Sequence, residues 1–162
     1  MNAFTLTPGS VNIRFGAGSV SQLPEVIAGL NKKKVFIVTD PGVAAAGVLA
    51  KVEAILKSAG IETASYTEIK PNPTTTLIDA AAKVGVTFGA DCIVALGGGS
   101  SLDSSKGIAL VVANPTFSSA KFDYSITPDR PALPIIAIPT TSGTGSETNN
   151  WGVIDDPIRQ CK

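Results

Sequence analysis

The stretch "VALGGGSSLDSSKGIAL", residues 94–110, joins an apolar run to a helical pattern through three consecutive glycines. The apolar run is typical of a buried strand, and apolar residues recur at helical spacing after the glycines. Glycines let the backbone approach a ligand closely, and the N–H groups that begin the following helix would face an anion such as a pyrophosphate. A tight strand-to-helix turn has the same pattern, so both interpretations stay open for this motif alone.

Ser100, Asp103 and Lys106 of this stretch can be explained without a ligand. Ser100 and Asp103 have the spacing of a capping box, in which Ser100 caps the helix and Asp103 bonds back to it. No Gly-Lys-Ser or Gly-Lys-Thr sequence closes the glycine run, so it is not a P-loop. Lys106 falls within the predicted helix, where we expect it to be solvated.

Short β-rich runs alternate with longer helical patterns along most of the chain. Strands are predicted at residues 34–40, 61–66, from 92 and at 133–140, and helices at 46–60, 74–90 and 101–112. This alternation predicts parallel β-α-β units, and therefore an α/β fold with an open, mainly parallel Rossmann-like sheet and helices on both faces.

The patterns outside these units are weaker. Residues 4–20 predict an N-terminal edge hairpin, residues 19–30 a short helix, and residues 151–155 a further strand. For the helix at 74–90, Thr75 or Thr76 is expected as the N-cap and Gly89 as the end.

Composition bounds the functions open to the chain. Its 162 residues are 44% hydrophobic, which suits a single domain, residues 1–162, with its own core. Because 13 basic side chains balance 13 acidic ones, nucleic acid and acidic membrane surfaces are not expected partners. The two cysteines, Cys92 and Cys161, lack metal-type spacing and suggest no disulfide framework, which fits a reducing compartment. No run resembles a signal peptide or a membrane span, so we expect a cytoplasmic protein.

One residue type is missing from the sequence altogether. The chain contains no histidine, which excludes a Ser-His-Asp triad, a Cys-His nucleophile and a histidine-ligated metal site formed by this chain alone.

Ligands of open α/β sheets bind beyond the carboxyl ends of the strands, so residues that follow a strand are candidates. Asp40 follows the first long strand, where a carboxylate accepts hydrogen bonds from a ribose 2′-OH and repels the extra phosphate of NADP. The same residue in "TDPG" also suits an ordinary turn, which is the more frequent outcome for a single aspartate.

Two other polar loops follow strands. The segment "IPTTSGTGSE", residues 138–147, offers many hydroxyl groups to a ligand without any positive charge, although a flexible loop is equally compatible with it. Asn72 stands between two prolines in "KPNPTTT", and these fix the direction of its amide.

Together these segments resemble one family, the iron-containing (group III) alcohol dehydrogenases. The matching pieces, in the family's order, are "FGAGSV" at 15–20, "VTDPGV" at 38–43, "PNPT" at 71–74, "GGGSSLDSSKGIAL" at 97–110 and "IPTTSGTGSE" at 138–147. They cover essentially the whole chain, and the last two are highly specific.

The resemblance implies the family's N-terminal dinucleotide-binding domain, which a helical domain follows, with the active site between the two. It implies an NAD-dependent oxidoreductase that converts an alcohol to an aldehyde or ketone, with NADP less favoured. The cofactor-binding residues it implies are Asp40 at the adenosine ribose, Gly98, Gly99 and Ser100 at the pyrophosphate, and Asn72, Gly97, Thr140, Thr141, Thr144 and Lys162 elsewhere in the cleft.

The resemblance also raises a question about the metal. In the family, one aspartate and three histidines of the helical domain bind iron or zinc, which polarises the alcohol oxygen. Because this chain has no histidine, we expect it to bind no metal, to carry no catalytic residue and to be inactive by itself.

Several alternatives stay open at this point. The main one is a non-catalytic, truncated module that binds a nucleotide or a partner subunit. Self-association into a homo-oligomer is expected through the cleft face that the helical domain would cover. Glycerol dehydrogenases, maleylacetate reductases and dehydroquinate-synthase-like lyases are related alternatives, and the sequence does not identify the alcohol.

Overall fold

The structure, a computed structural model, describes residues 4–6, 11–121, 128–157 and 159. Its strands are β1 (Phe4–Leu6), β2 (Ile13–Phe15), β3 (Lys34–Val38), β4 (Glu62–Tyr66), β5 (Cys92–Gly97) and β6 (Ile135–Pro139). Its helices are α1 (Leu23–Gly29), α2 (Pro41–Ala45), α3 (Val48–Ser58), α4 (Thr75–Phe88) and α5 (Gly99–Ala113), with short 3-10 turns at Ser19–Gln22 and Ser119–Lys121.

Four of the strands form one parallel sheet in the order β4-β3-β5-β6. The two central strands, β3 and β5, are apolar and almost fully buried, as strands covered on both faces should be. β1 and β2 pair antiparallel in a separate two-stranded sheet. The predicted α/β fold and the N-terminal hairpin are therefore confirmed.

Helices cover both faces of the parallel sheet because side chains alternate along each strand. Val35 and Ile37 point to the face covered by α1 and α3, whereas Phe36 and Val38 point to the face covered by α4 and α5. Each face has its own buried apolar cluster. No helix among the described residues is long and apolar enough to cross a membrane.

The order in which the chain adds strands to the sheet reverses between β3 and β5. The chain leaves β3 toward β4 on one side, returns through α4, and leaves β5 toward β6 on the other side. The loops that follow the carboxyl ends of β3 and β5 therefore lead away from each other. This is the position where open α/β sheets leave a crevice for a ligand.

Two expected helix boundaries and one expected strand are wrong. The N-cap of α4 is Thr74, whose hydroxyl accepts from Leu77 N, rather than Thr75 or Thr76. α5 begins at Gly99, directly after the glycine turn. Residues 151–154 lie in no strand, and Asp155 forms an isolated parallel bridge with Thr74. The end of α4 at Gly89, which has a φ of 75°, is confirmed.

A glycine in α4 gives a test of this packing. A Cβ on Gly85 would lie 2.9 Å from Val112 Cγ2 and 3.2 Å from the Phe36 ring. Gly85→Ala gains about 1 kcal/mol of helix propensity, but overpacking costs about 1–3 kcal/mol. We expect urea unfolding to show a net loss of stability. Gly29→Ala, at a helical glycine with open space around it, is the control that should be neutral or stabilising.

Candidate functional site

The glycine turn after β5 stands at the centre of the crevice. Gly97 has a φ of 148°, and a Cβ there would lie 2.6 Å from Ser101 Oγ. A Cβ on Gly98 would lie 3.1 Å from Thr141 Oγ1, and one on Gly99 would lie 3.3 Å from Thr144 Cγ2. Glycine is therefore needed at this turn because the loop after β6 and the first turn of α5 approach its backbone closely.

The start of α5 differs from the starts of α2 and α4. Asp40 caps α2 and Thr74 caps α4 through their side chains, whereas the N-cap of α5, Gly98, makes no side-chain capping bond. The first N–H groups of a helix have no partner within the helix. At α5 these donors, together with the positive end of the helix dipole, are available to an anion.

Asp40 makes two hydrogen bonds within the protein. Its Oδ1 accepts from Val43 N at 3.0 Å, so it caps the short helix α2, and the turn interpretation is correct. Its Oδ2 accepts from Ser101 Oγ at 3.3 Å. Because Ser101 is buried in α5, this bond ties the end of β3 to the start of α5. Asp40 stays partly exposed, with lone pairs left for a ligand.

A cleft of about 240 Å³ opens on the other side of the glycine turn. The residues that line it come from the loop after β4, the first turns of α5 and the segment after β6: Asn72, Pro73, Gly99, Ser100, Asp103, Thr144, Ser146, Val153 and Asp155. Asn72 has a φ of 53° and is exposed at the cleft, between its two prolines. Six of its nine lining residues are polar, and none of the nine is basic.

The structure brings together nine of the ten sequence-predicted residues. Asn72, Gly99, Ser100 and Thr144 line the cleft. Asp40, Gly97, Gly98, Thr140 and Thr141 surround the turn, where Thr140 N donates to Gly97 O at 2.9 Å. Lys162 lies outside the described residues.

Two expectations about α5 are wrong. Ser100 is the second residue of the helix and so cannot cap it, and Asp103 does not complete a capping box. Lys106 is not solvated: its side chain is 16% exposed and bonds to Asp103 Oδ1 at 3.1 Å. The i, i+3 spacing of these opposite charges was a signal for this pair. Their contacts with residues 149–153 had no sequence signal, since the partners lie more than 40 positions away.

The family's sequence model, described as iron-containing alcohol dehydrogenase, matches residues 10–162. The chain belongs to this family. It is 36% identical over 155 residues to a choline dehydrogenase of Bacillus subtilis, covering 93% of this chain and 38% of that protein. It is 37% identical over 148 residues to a lactaldehyde reductase of Escherichia coli, covering 90% of this chain and 39% of that protein.

A solved structure has the same fold. A sulfoacetaldehyde reductase from Bifidobacterium kashiwanohense, crystallised with NAD+, superposes with a TM-score of 0.82 at 28% identity, covering 90% of this chain and 38% of that one. The chain thus spans about two fifths of the length of the relatives that it matches.

The residues of this chain do not fit the family's metal. The sequence has no histidine, and the described residues contain no group of three or more histidine, cysteine, aspartate or glutamate side chains that could hold a metal ion. Cys92 is buried in β5, and burial raises the pKa of its thiol to about 12, so it is a core residue and no nucleophile. Metal chemistry is therefore not assigned to these residues.

The glycine turn can be tested directly. Gly97→Ala places a Cβ against Ser101 and within 3.0 Å of Asp40 Oδ2, at a φ that alanine rarely adopts. We expect a loss of about 2–5 kcal/mol in the free energy of unfolding, from strain plus overpacking. The control is Gly60→Ala, which also has a positive φ but nothing within 4 Å. It should cost only the strain, about 1–2 kcal/mol. Equal losses in the two variants would contradict the close approach.

Proposed function

We propose that this chain binds NAD at the carboxyl ends of β3 and β5, as the cofactor-binding domain, residues 1–162, of an alcohol dehydrogenase. One observation carries the proposal: an uncapped helix start follows a glycine turn, and both the Asp40 carboxylate and a cleft with polar lining residues lie next to it. The NAD+ bound by the related sulfoacetaldehyde reductase supports it.

The proposed contacts follow from the chemistry of each group. The N–H groups at the start of α5 suit the pyrophosphate, because they are donors at the positive end of a helix dipole. Asp40 suits the hydroxyls of the adenosine ribose and disfavours the 2′-phosphate of NADP by charge repulsion. Asn72 and the threonine hydroxyls at 140, 141 and 144 supply neutral hydrogen-bonding groups along the rest of the cofactor.

The proposed reaction is the interconversion of an alcohol with an aldehyde or ketone. A bound nicotinamide would accept a hydride, one proton with two electrons, from the alcohol carbon, and the hydroxyl proton would pass to water. This chain's residues bind and orient the cofactor and take no other part in that step. The small alcohol substrate, a cytoplasmic location and a homo-oligomer belong to the same proposal.

A non-catalytic binding module is the second candidate. Trp151 and Val153 are 62% and 58% exposed, and Val153 also lines the cleft. Large apolar side chains at a cleft suit a protein partner or a second copy of the chain. Saturable NADH binding that persists in a monomer favours the cofactor role, whereas concentration-dependent association without NADH binding favours the module.

The cofactor role can be tested by fluorescence titration of the purified chain with NADH. Asp40→Ala removes a charged hydrogen-bond acceptor, and we expect NADH to bind about tenfold or more weakly, because such bonds contribute about 1.5–3 kcal/mol. Asp40→Asn keeps an oxygen that caps α2 but removes the charge, so the preference for NADH over NADPH should fall.

Glu62→Gln is the matched control for this titration. It removes one negative charge at the amino end of β4, where the side chain is exposed and pairs only loosely with Lys34 at 3.7 Å. Its affinity for NADH should equal that of the wild type. Failure of the wild type to bind NADH saturably, or equal binding by Asp40→Ala, would overturn the proposal.

A further inference from the structure

Lys106 uses all of its hydrogen-bonding capacity within the protein. An ammonium group has three donors. In this chain they meet Asp103 Oδ1 at 3.1 Å, Asn149 Oδ1 at 3.1 Å and the carbonyl oxygen of Trp151 in a short contact. The side chain is only 16% exposed. Lys106 is therefore not free to bind a phosphate, although it lies about two turns beyond the start of α5.

Asp103 completes the connection from the same helix. Its Oδ1 accepts from Lys106, and its Oδ2 accepts from Val153 N at 3.3 Å. The carboxylate also lines the 240 Å³ cleft. Asp103 and Lys106 thus hold the backbone of residues 151–153 against the first two turns of α5.

Two glycines permit this segment to lie close to α5. A Cβ on Gly152 would stand 3.1 Å from the carbonyl oxygen of Asp103, and one on Gly107 would stand 2.9 Å from Ile154 Cδ1. The backbone of the segment and the helix are therefore in direct contact. This contact and the Lys106 bonds are separate observations of the same docking.

The far end of the segment is fixed to another loop. Asp155 N donates to Pro73 O at 2.8 Å, and Thr75 N donates to Asp155 O at 3.0 Å. The segment 145–155, which we call the wall segment, therefore spans from α5 to the loop that carries Asn72. Three of its residues line the cleft, Ser146, Val153 and Asp155, and so does Thr144, which directly precedes it.

We propose that Asp103 and Lys106 are positioning residues that fix the wall segment as one side of the cofactor cleft. The inference rests on the proposed function, in which this cleft holds part of the dinucleotide. Lys106 acts through the wall segment, and its own ammonium group contacts no cofactor atom. Its loss should enlarge the cleft and weaken binding there, while the Asp40 side of the glycine turn stays intact.

The test compares Lys106→Met, which keeps the side-chain length without the charge, with Lys106→Arg, which restores donors and charge. Amide hydrogen exchange measures directly how strongly the backbone of the wall segment is protected. In Lys106→Met we expect the Val153 amide to lose protection about tenfold or more, while the Asp155 amide, held by Pro73, changes less. Lys106→Arg should recover part of the protection.

Ligand binding gives the second readout. Lys106→Met should bind NADH about tenfold more weakly, a difference that a titration resolves easily, and should bind AMP within about twofold of the wild type. AMP is the probe for the Asp40 side, so Asp40→Ala should weaken both ligands. Lys83→Met, at an exposed lysine of α4, is the control for loss of a positive charge and should change neither readout.

The outcomes separate this inference from the proposed function. Unchanged exchange at Val153, or faster exchange with unchanged NADH binding, overturns the positioning role. Equal weakening of NADH and AMP also overturns it, because that indicates a general loss of structure. If the wild type binds neither NADH nor AMP, the proposed function fails. The hydrogen-exchange experiment still decides whether Asp103 and Lys106 fix the wall segment.

Discussion

The close approach of three backbone segments at Gly97–Gly99 is the constraint on which the site depends. A side chain at Gly97 would meet Ser101 and Asp40, and one at Gly98 would meet Thr141. Without the glycines, the loop after β6 and the first turn of α5 could not lie against the end of β5. The same absence of side chains leaves the N–H groups at the start of α5 open to an anion.

Helix α5 follows this turn, and its different faces contact different parts of the molecule. Ile108 and Ala109 belong to the buried cluster on one face of the sheet. Ser101 bonds to Asp40 at the end of β3, whereas Asp103 and Lys106 hold the wall segment. One helix thus sets the position of the core, the acidic side of the crevice and the wall of the cleft. A shift of α5 would disturb all three together.

Among the residues that the structure describes, the start of α5 and the cleft beside it have no basic side chain that is free to bind an anion. The chain carries no net charge, and the cleft has no basic side chain in its lining. An anion at the start of α5 would therefore rely on backbone donors and the helix dipole, which cost no desolvation of a lysine or arginine. Lys106, the nearest cation on that helix, is committed to Asp103, Asn149 and Trp151.

The sequence by itself determined the α/β fold and a glycine turn after a strand, because strand and helix periodicity and turn chemistry are local properties. The set of site residues came from the resemblance to the family, and nine of its ten members lie around that turn. It also placed Asp40 at a strand end, where both a cap and a ligand contact are possible. Only the tertiary structure decided that Asp103 and Lys106 hold residues 149–153 and that Ser101 reaches Asp40. Those partners are 43 to 61 positions apart, and their meeting depends on how the helix packs on the sheet.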